Sequence, residues 1–376
     1  MLVRKPQDYA PASLRFSQPR VAIVHYWLVA MRGGERVVER LLDLFPQADL
    51  FTHVYDEKAV SAKIRKAKVT TSFISRLPFA QRKYQYYLPL MPMALEQFNL
   101  RGYDLIISSE SGPAKGVITD PDSLHVCYCH SPMRYLWDHY HIYRRDAHPV
   151  VRAVMPFAYH RMRQWDVSSS ARVDRIAANS SFIRNRVRKS WRREAEIIHP
   201  PVDTTLFTPS AKVEDHYLWV GQMVPYKRPD LAVEAFNRTG QPLLMVGTGA
   251  MLPKLRAQAK PNIRFVERMN FDDLRRAYAT CRALVFTAEE DFGIVPVEAM
   301  ASGRPVLAFG RGGVFDSVEP GVSGLFFAEQ EPHSLIDGIQ EMEAWLPHFD
   351  PADAVEQSNR FAPEVFDRKI SRFVAP

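Results

Sequence analysis

Two acidic residues, Glu290 and Glu298, stand eight positions apart in Glu289-Glu290-Asp291-Phe292-Gly293-Ile294-Val295-Pro296-Val297-Glu298-Ala299-Met300-Ala301-Ser302-Gly303-Arg304-Pro305. Pro296 suits the first turn of a helix, having no N–H to leave unpaired, and Gly303 suits its end. The amides near Gly293, Ile294 and Val295 then lie at a helix N-terminus, which is a ready site for a diphosphate. A carboxylate accepts hydrogen bonds from vicinal hydroxyls, so one acid could meet a sugar and the other a ribose. A capping acid and a solvated Glu would give the same spacing with no ligand at all.

Further groups could join such chemistry. Lys227 and Arg228 follow an apolar run and could neutralise a diphosphate leaving group, a charge whose stabilisation is often the largest catalytic contribution. Gly33-Gly34 leaves backbone open to close approach by phosphates or by a second substrate. It is not the dinucleotide fingerprint, which needs three spaced glycines. His130 ends an apolar run and could bond a sugar hydroxyl when neutral or steady a phosphate when charged. Cys127, Cys129 and His130 resemble half a zinc site, but strand alternation turns the two thiols away from the imidazole. No second Cys/His pair completes four ligands, so no metal and no resident cofactor is expected.

The elements that must position these residues form two series. Val21–Val29, Leu105–Ser109, His125–Cys129 and Arg175–Asn179 read as buried strands, with a helix over Glu35–Leu44. The pattern breaks near Ile197-Ile198-His199-Pro200-Pro201. It restarts with His216–Val220, Leu243–Val246, Ile263–Val266, Ala283–Phe286 and Pro305–Ala308. Strands alternating with helical sequence imply parallel sheets covered on both faces. The expectation is an α/β chain of two doubly wound, Rossmann-like domains, 20–200 and 201–360, facing across a ligand-binding cleft. Residues 1–19 read as a loose leader without a secretory h-region. Residues 361–376 read as a closing helix that packs back toward the first domain.

The Glu290–Glu298 stretch resembles the Glu-x7-Glu motif of retaining glycosyltransferase family 4, whose members adopt the GT-B fold. Gly221 to Ala232, Gly310-Arg311-Gly312-Gly313 and Gly321 to Phe327 look like the family's other segments, and the likeness spans roughly residues 20–375. It implies that His130 and Glu290 act on the transferred sugar. Gly33, Gly34, Lys227, Arg228, Phe292, Gly293, Ile294, Val295 and Glu298 would hold the donor. The implied reaction is metal-independent transfer of a hexose, best matched by mannose from GDP-mannose, with retention at the anomeric carbon. The acceptor would be a lipid-linked or oligosaccharide glycan in cell-surface polysaccharide synthesis. A UDP-sugar donor, or a GT-B-fold sugar-nucleotide epimerase, is the alternative. Two positions depart from the family: Gln222, where an Arg is usual, and Glu267, where a Gly is usual.

Charge points to the surroundings. The net +7 conceals an asymmetry: residues 1–200 hold 31 Lys+Arg against 18 Asp+Glu, and the remainder hold 18 against 24. The basic half suggests an anionic partner. Lys63–Lys68, the aromatic and cationic Phe79–Met93, and Arg184–Arg193 with its Trp191 read as interfacial segments for an acidic membrane. No run reaches the roughly 18 apolar residues of a membrane span, and three cysteines make no disulfide framework. A cytoplasmic enzyme on the inner membrane face is expected. The chain lacks the motifs of a specific nucleic-acid binder.

Overall fold

A computed structural model describes residues 19–375; the expected leader, apart from Pro19, lies outside the described residues. The chain divides into two compact units. One runs to His199 and takes up the chain again from Asp367; the other is Pro200–Phe366.

The first unit is wound on seven parallel strands: β1 (Val21–His25), β2 (Asp49–Thr52), β3 (Val69–Thr71), β4 (Leu105–Glu110), β5 (Leu124–Cys129), β6 (Arg175–Ala178) and β7 (Glu196–Ile197). They lie in the order β3-β2-β1-β4-β5-β6-β7. Every residue of β1 and β4 is buried, as expected of central strands covered on both faces. The winding reverses between β1 and β4, and the loops leaving their C-terminal ends diverge there. Such a switch point is where open α/β sheets bind ligands. The register sets His25 of β1 opposite Ser109 of β4. The helix Gly33–Leu44 buries Val37, Val38, Leu41 and Leu42.

The second unit repeats the scheme with β8 (Tyr217–Val220), β9 (Leu243–Val246), β10 (Ile263–Val266), β11 (Leu284–Phe286), β12 (Val306–Phe309) and β13 (Gly324–Phe327). Their order is β10-β9-β8-β11-β12-β13, so the switch point falls between β8 and β11. The doubly wound fold class read from the sequence is therefore present in both halves. Four strands escaped that reading. β2 opens on a half-buried Asp, β3 is a half-buried edge, β7 has two residues, and β13 looked like a glycine segment. Gly324 pairs with Val306 of β12, and glycine is required at that strand position because a Cβ there would come 2.2 Å from the Val306 carbonyl oxygen. The first apolar run ends as a strand at His25, and Leu28 beyond it makes only an isolated bridge with Tyr55.

Below Ser109 the first unit holds a fully buried polar cluster. Lys115 pairs with Glu110 and Asp166, and Asp166 also accepts from the indole N–H groups of Trp137 and Trp191, each at 2.8 Å. The cluster pins the loop after β4, since a buried charge must be paired and hydrogen-bonded. The last helix, Pro363–Val374, is tied to the first unit at its C-terminal end. Arg40 Nε donates to Asp367 at 2.8 Å, and Arg175 donates to the Phe373 carbonyl at 2.9 Å.

Candidate functional site

In the second unit the structure brings together the loops leaving β8 and β11. Lys227 Nζ lies 2.7 Å from Glu290 Oε1, a close ion pair. That buried oxygen keeps lone-pair capacity for a hydroxyl donor. Burial works against the Lys227 charge, but Glu290 outweighs it and holds the ammonium above its ordinary range. The lysine's backbone is fixed as well. Thr287 Oγ1 donates to the Lys227 carbonyl at 2.7 Å and accepts from Trp219 Nε1 at 3.0 Å.

Arg228 behaves differently from its neighbour. It sits at φ +50°, its Nε lies 3.2 Å from Asp230, and its Nη1 donates to the Gln330 carbonyl at 3.2 Å. Of the two cations read from the sequence, Lys227 meets Glu290, and Arg228 is engaged by Asp230 and the Gln330 carbonyl. Gln222 is exposed on the same turn and brings no charge. Glu267, the other departure, pairs with Arg256 at 2.8 Å with both side chains about half exposed. Such a pair contributes little.

The helix after Glu290 runs Ile294–Ala301 with Gly293 as its N-cap at φ +86°. The amides of Ile294 and Val295 therefore open the helix, and Pro296 stands third in it. Phe292 is buried against Phe361 with ring centroids 5.3 Å apart, so its ring is packed into the core and not presented to a ligand. Glu298 accepts from the Tyr278 hydroxyl at 2.8 Å.

Two glycines place Glu290. Gly313 N donates to the Glu290 carbonyl at 2.8 Å, and Glu290 and Gly312 form an isolated bridge. A Cβ on Gly312 would come 2.5 Å from that carbonyl oxygen, and one on Gly313 2.2 Å from the Asp291 oxygen. The sequence marked these glycines without linking them to the acid.

In the first unit a second polar group sits at the switch point of its sheet. His130 Nε2 is 2.8 Å from Ser109 Oγ, which is 3.0 Å from His25 Nδ1; His25 Nε2 is 3.8 Å from Glu35 Oε1. All four side chains are buried. Gly34 closes against them: a Cβ there would come 2.6 Å from the Tyr26 hydroxyl and 3.6 Å from His130 Nε2. Gly34 and His130, read separately from the sequence, are thus neighbours, with Gly33 opening the helix beside them. Burial, reinforced by His25, draws the His130 pKa down to about 3. The ring is neutral, and the charged role weighed from sequence is unfavourable in this setting. Burial also works against the Glu35 charge. Contact with His25 and backbone hydrogen bonding outweigh it and hold the carboxyl below its ordinary range.

His25, Ser109 and Glu35 were missed by sequence reasoning. The only hint was the polar Ser109 at the end of one apolar run and His25 within another, and the two partners that the register brings together lie 84 residues apart in the chain. Cys127 and Cys129 pack into the core with Val187 and Trp191, and burial pushes both thiols up.

Comparison with known proteins gives these positions a setting. Residues 31–206 match the family described as Glycosyltransferase Family 4, and residues 214–344 match Glycosyl transferases group 1. An uncharacterized glycosyltransferase of Methanocaldococcus jannaschii is 28% identical over 174 residues, covering 45% of this chain and 49% of that protein. The D-inositol 3-phosphate glycosyltransferase of Geodermatophilus obscurus is 30% identical over 208 residues, covering 46% of each. The matched stretch thus spans about half the length of these curated relatives. The crystal structure of Anabaena HepE with UDP and glucose aligns with a TM-score of 0.68 at 16% identity, over 94% of this chain and 99% of that one. Both halves of the chain match glycosyltransferase families, and the whole has the GT-B fold of glycosyltransferases.

Proposed function

We propose that the protein is a retaining, metal-independent glycosyltransferase that moves a hexose from a nucleoside diphosphate sugar onto a lipid-linked or oligosaccharide acceptor. The observation that carries this reading is the Lys227–Glu290 contact just ahead of a helix N-terminus. The opening amides of the helix and the Lys227 ammonium receive the diphosphate and stabilise the charge that grows on it as the glycosidic bond breaks. Glu290 Oε1, with capacity left over, accepts from a hydroxyl of the sugar. Glu298, steadied by Tyr278, accepts from the ribose diol. His130 offers a neutral imidazole to a sugar hydroxyl. The departing phosphate oxygen takes the proton of the incoming hydroxyl on the same face, so the configuration is retained and no protein nucleophile is needed.

GDP-mannose is the first choice of donor, on the sequence resemblance. A UDP-sugar is the second, favoured by the UDP and glucose held by the similarly folded Anabaena protein. Thermal-shift screening against GDP, UDP and their sugar conjugates tests the reading. A ligand at 100 times its dissociation constant adds about 2.7 kcal/mol. A response to neither nucleotide would remove the proposal.

An acidic membrane on the cytoplasmic side is the proposed place of work. Phe79, Tyr86, Leu90 and Met93 are exposed beside Arg82 and Lys83, and Val150, Val154 and Phe157 are exposed beside Arg152 and Arg161. This mixture of apolar and cationic side chains suits a lipid interface. Among the described residues no helix is long and apolar enough to cross a membrane. The Arg184–Arg193 stretch fits the role less well than its sequence suggested. Its Trp191 is buried and donates to Asp166, so only the cations remain to meet lipid.

A further inference from the structure

Four buried groups at the switch point of the first sheet form one chain: Glu35, His25, Ser109 and His130. Ser109 Oγ has a single proton and lies within hydrogen-bond distance of a ring nitrogen on each side. If it donates to one neutral ring, it accepts from the other. With both rings neutral the chain therefore has two self-consistent settings, and the group at its far end selects between them.

That group is Glu35. Its carboxylate lies 3.8 Å from His25 Nε2, a buried nitrogen with no hydrogen-bond partner. A bare lone pair facing a carboxylate is repelled, whereas an N–H there is attracted, and low surrounding polarity enlarges the difference. With the proton on His25 Nε2, His25 Nδ1 carries the lone pair and accepts from the Ser109 hydroxyl. Ser109 Oγ then accepts from His130 Nε2–H, and the lone pair of His130 is left on Nδ1.

We propose that Glu35, His25 and Ser109 are positioning residues that lock His130 in the Nε2–H tautomer, so that Nδ1 acts only as a hydrogen-bond acceptor for a substrate hydroxyl. The selection this gives is chemical: a substrate with a hydroxyl donor at that atom is matched, and one with only an acceptor or no polar group there leaves the imidazole unpaired. Glu35 is already held for the task, since its second oxygen accepts from Arg32 N at 2.9 Å where the helix after Gly33-Gly34 begins. The glycine turn and the histidine are thereby coupled through one carboxylate.

The inference rests on the transferase reading for its purpose, but its test reads the resting protein. Nitrogen-15 NMR of histidine-labelled, ligand-free protein in mildly alkaline buffer, chosen to keep the imidazoles neutral, reports which ring nitrogen of His130 carries the proton, with His130→Gln used to assign the signals. The expected result is protonation at Nε2, with Glu35→Gln, which retains an oxygen for Arg32 N, shifting the signal toward a mixture of tautomers. In turnover, Glu35→Gln and Ser109→Ala should each lose about tenfold in kcat, one hydrogen bond's worth, while Ser109→Thr restores it. The thermal shift given by the nucleotide alone should stay the same. Protonation of His130 at Nδ1 in the unaltered protein would overturn the proposal, as would a tautomer population that Glu35→Gln leaves unmoved. Should a variant fail to fold, the unaltered protein still decides. Absence of any transferase activity with the Nε2–H tautomer intact would count against the function and leave the lock standing.

Discussion

Lys227 Nζ and Glu290 Oε1 lie 2.7 Å apart, although 63 positions of chain, three helices, three strands and their connections separate them. The contact exists because β8 and β11 are neighbours at the point where the second sheet reverses its winding. It joins a cation suited to a leaving diphosphate with an acid suited to the sugar that the diphosphate leaves.

Both partners are four-fifths buried or slightly more, yet neither belongs to the core, so each can be changed with the fold intact. Lys227→Ala should weaken nucleoside diphosphate binding about 10- to 100-fold, the worth of a charge-assisted contact. Glu290→Gln should leave nucleotide affinity within a few fold and cut turnover about 10²- to 10³-fold, as removal of one aligned polar group does in other enzymes. Calorimetry and steady-state kinetics separate the two. Equal effects of both variants on nucleotide binding would contradict the division of labour.

Gly312 holds Glu290 in place by being small. Gly312→Ala puts a methyl 2.5 Å from the Glu290 carbonyl oxygen at φ +91°, so both the clash and the backbone must be accommodated. The expected cost is about 1–3 kcal/mol together with lost turnover. Gly321→Ala is the control, because its φ is +76° but nothing lies within 4 Å. It should cost only the left-handed strain, about 1–2 kcal/mol, and leave kcat alone. Thermal unfolding and kinetics on the pair measure the difference, and indistinguishable kinetics would dismiss the positioning role.

Acid should destabilise the first unit through three histidines. Burial draws His53 and His130 down to about 3 and His125 to about 4, against about 6.5 when unfolded. Between those values the unfolded chain binds more protons than the folded one, so stability rises with pH. The contribution is complete above about pH 6.5 and drains away as pH falls toward 4 and then 3. Denaturant melts at pH 7.5 and pH 5 should show the loss, and His125→Asn should reduce it. A protein no less stable at pH 5 would refute the shifts.

Membrane docking is open to a direct assay. Wild-type protein should sediment with vesicles containing anionic lipid and far less with neutral ones, each engaged cation contributing about 1 kcal/mol. Phe79→Glu and Phe157→Glu should each weaken the association several-fold. Equal, negligible sedimentation with both lipids would leave the acceptor's lipid character without support.

Much of this architecture was legible because buried parallel strands announce themselves as apolar runs. Leu243–Val246 and Ile263–Val266 coincide with the strands read from sequence. What was hidden depends on topology. β2 and β3 are short strands with half-buried members, and periodicity gives no signal for such strands. His25 and Ser109 look unremarkable until strand order makes them partners. The same holds for Gly312, whose role needs the backbone of Glu290 beside it. Local chemistry such as the turn at Gly293 could be read directly, whereas each relationship across the sheet needed the fold.

The most direct measurement is release of nucleoside diphosphate followed by phosphorus-31 NMR. GDP-mannose and UDP-glucose are each supplied with a lipid-linked glycan fraction, using wild-type protein and Glu290→Gln in parallel. The account predicts steady release from one donor, dependent on the glycan fraction and almost absent in Glu290→Gln. Release from neither donor, or undiminished release by Glu290→Gln, would contradict it.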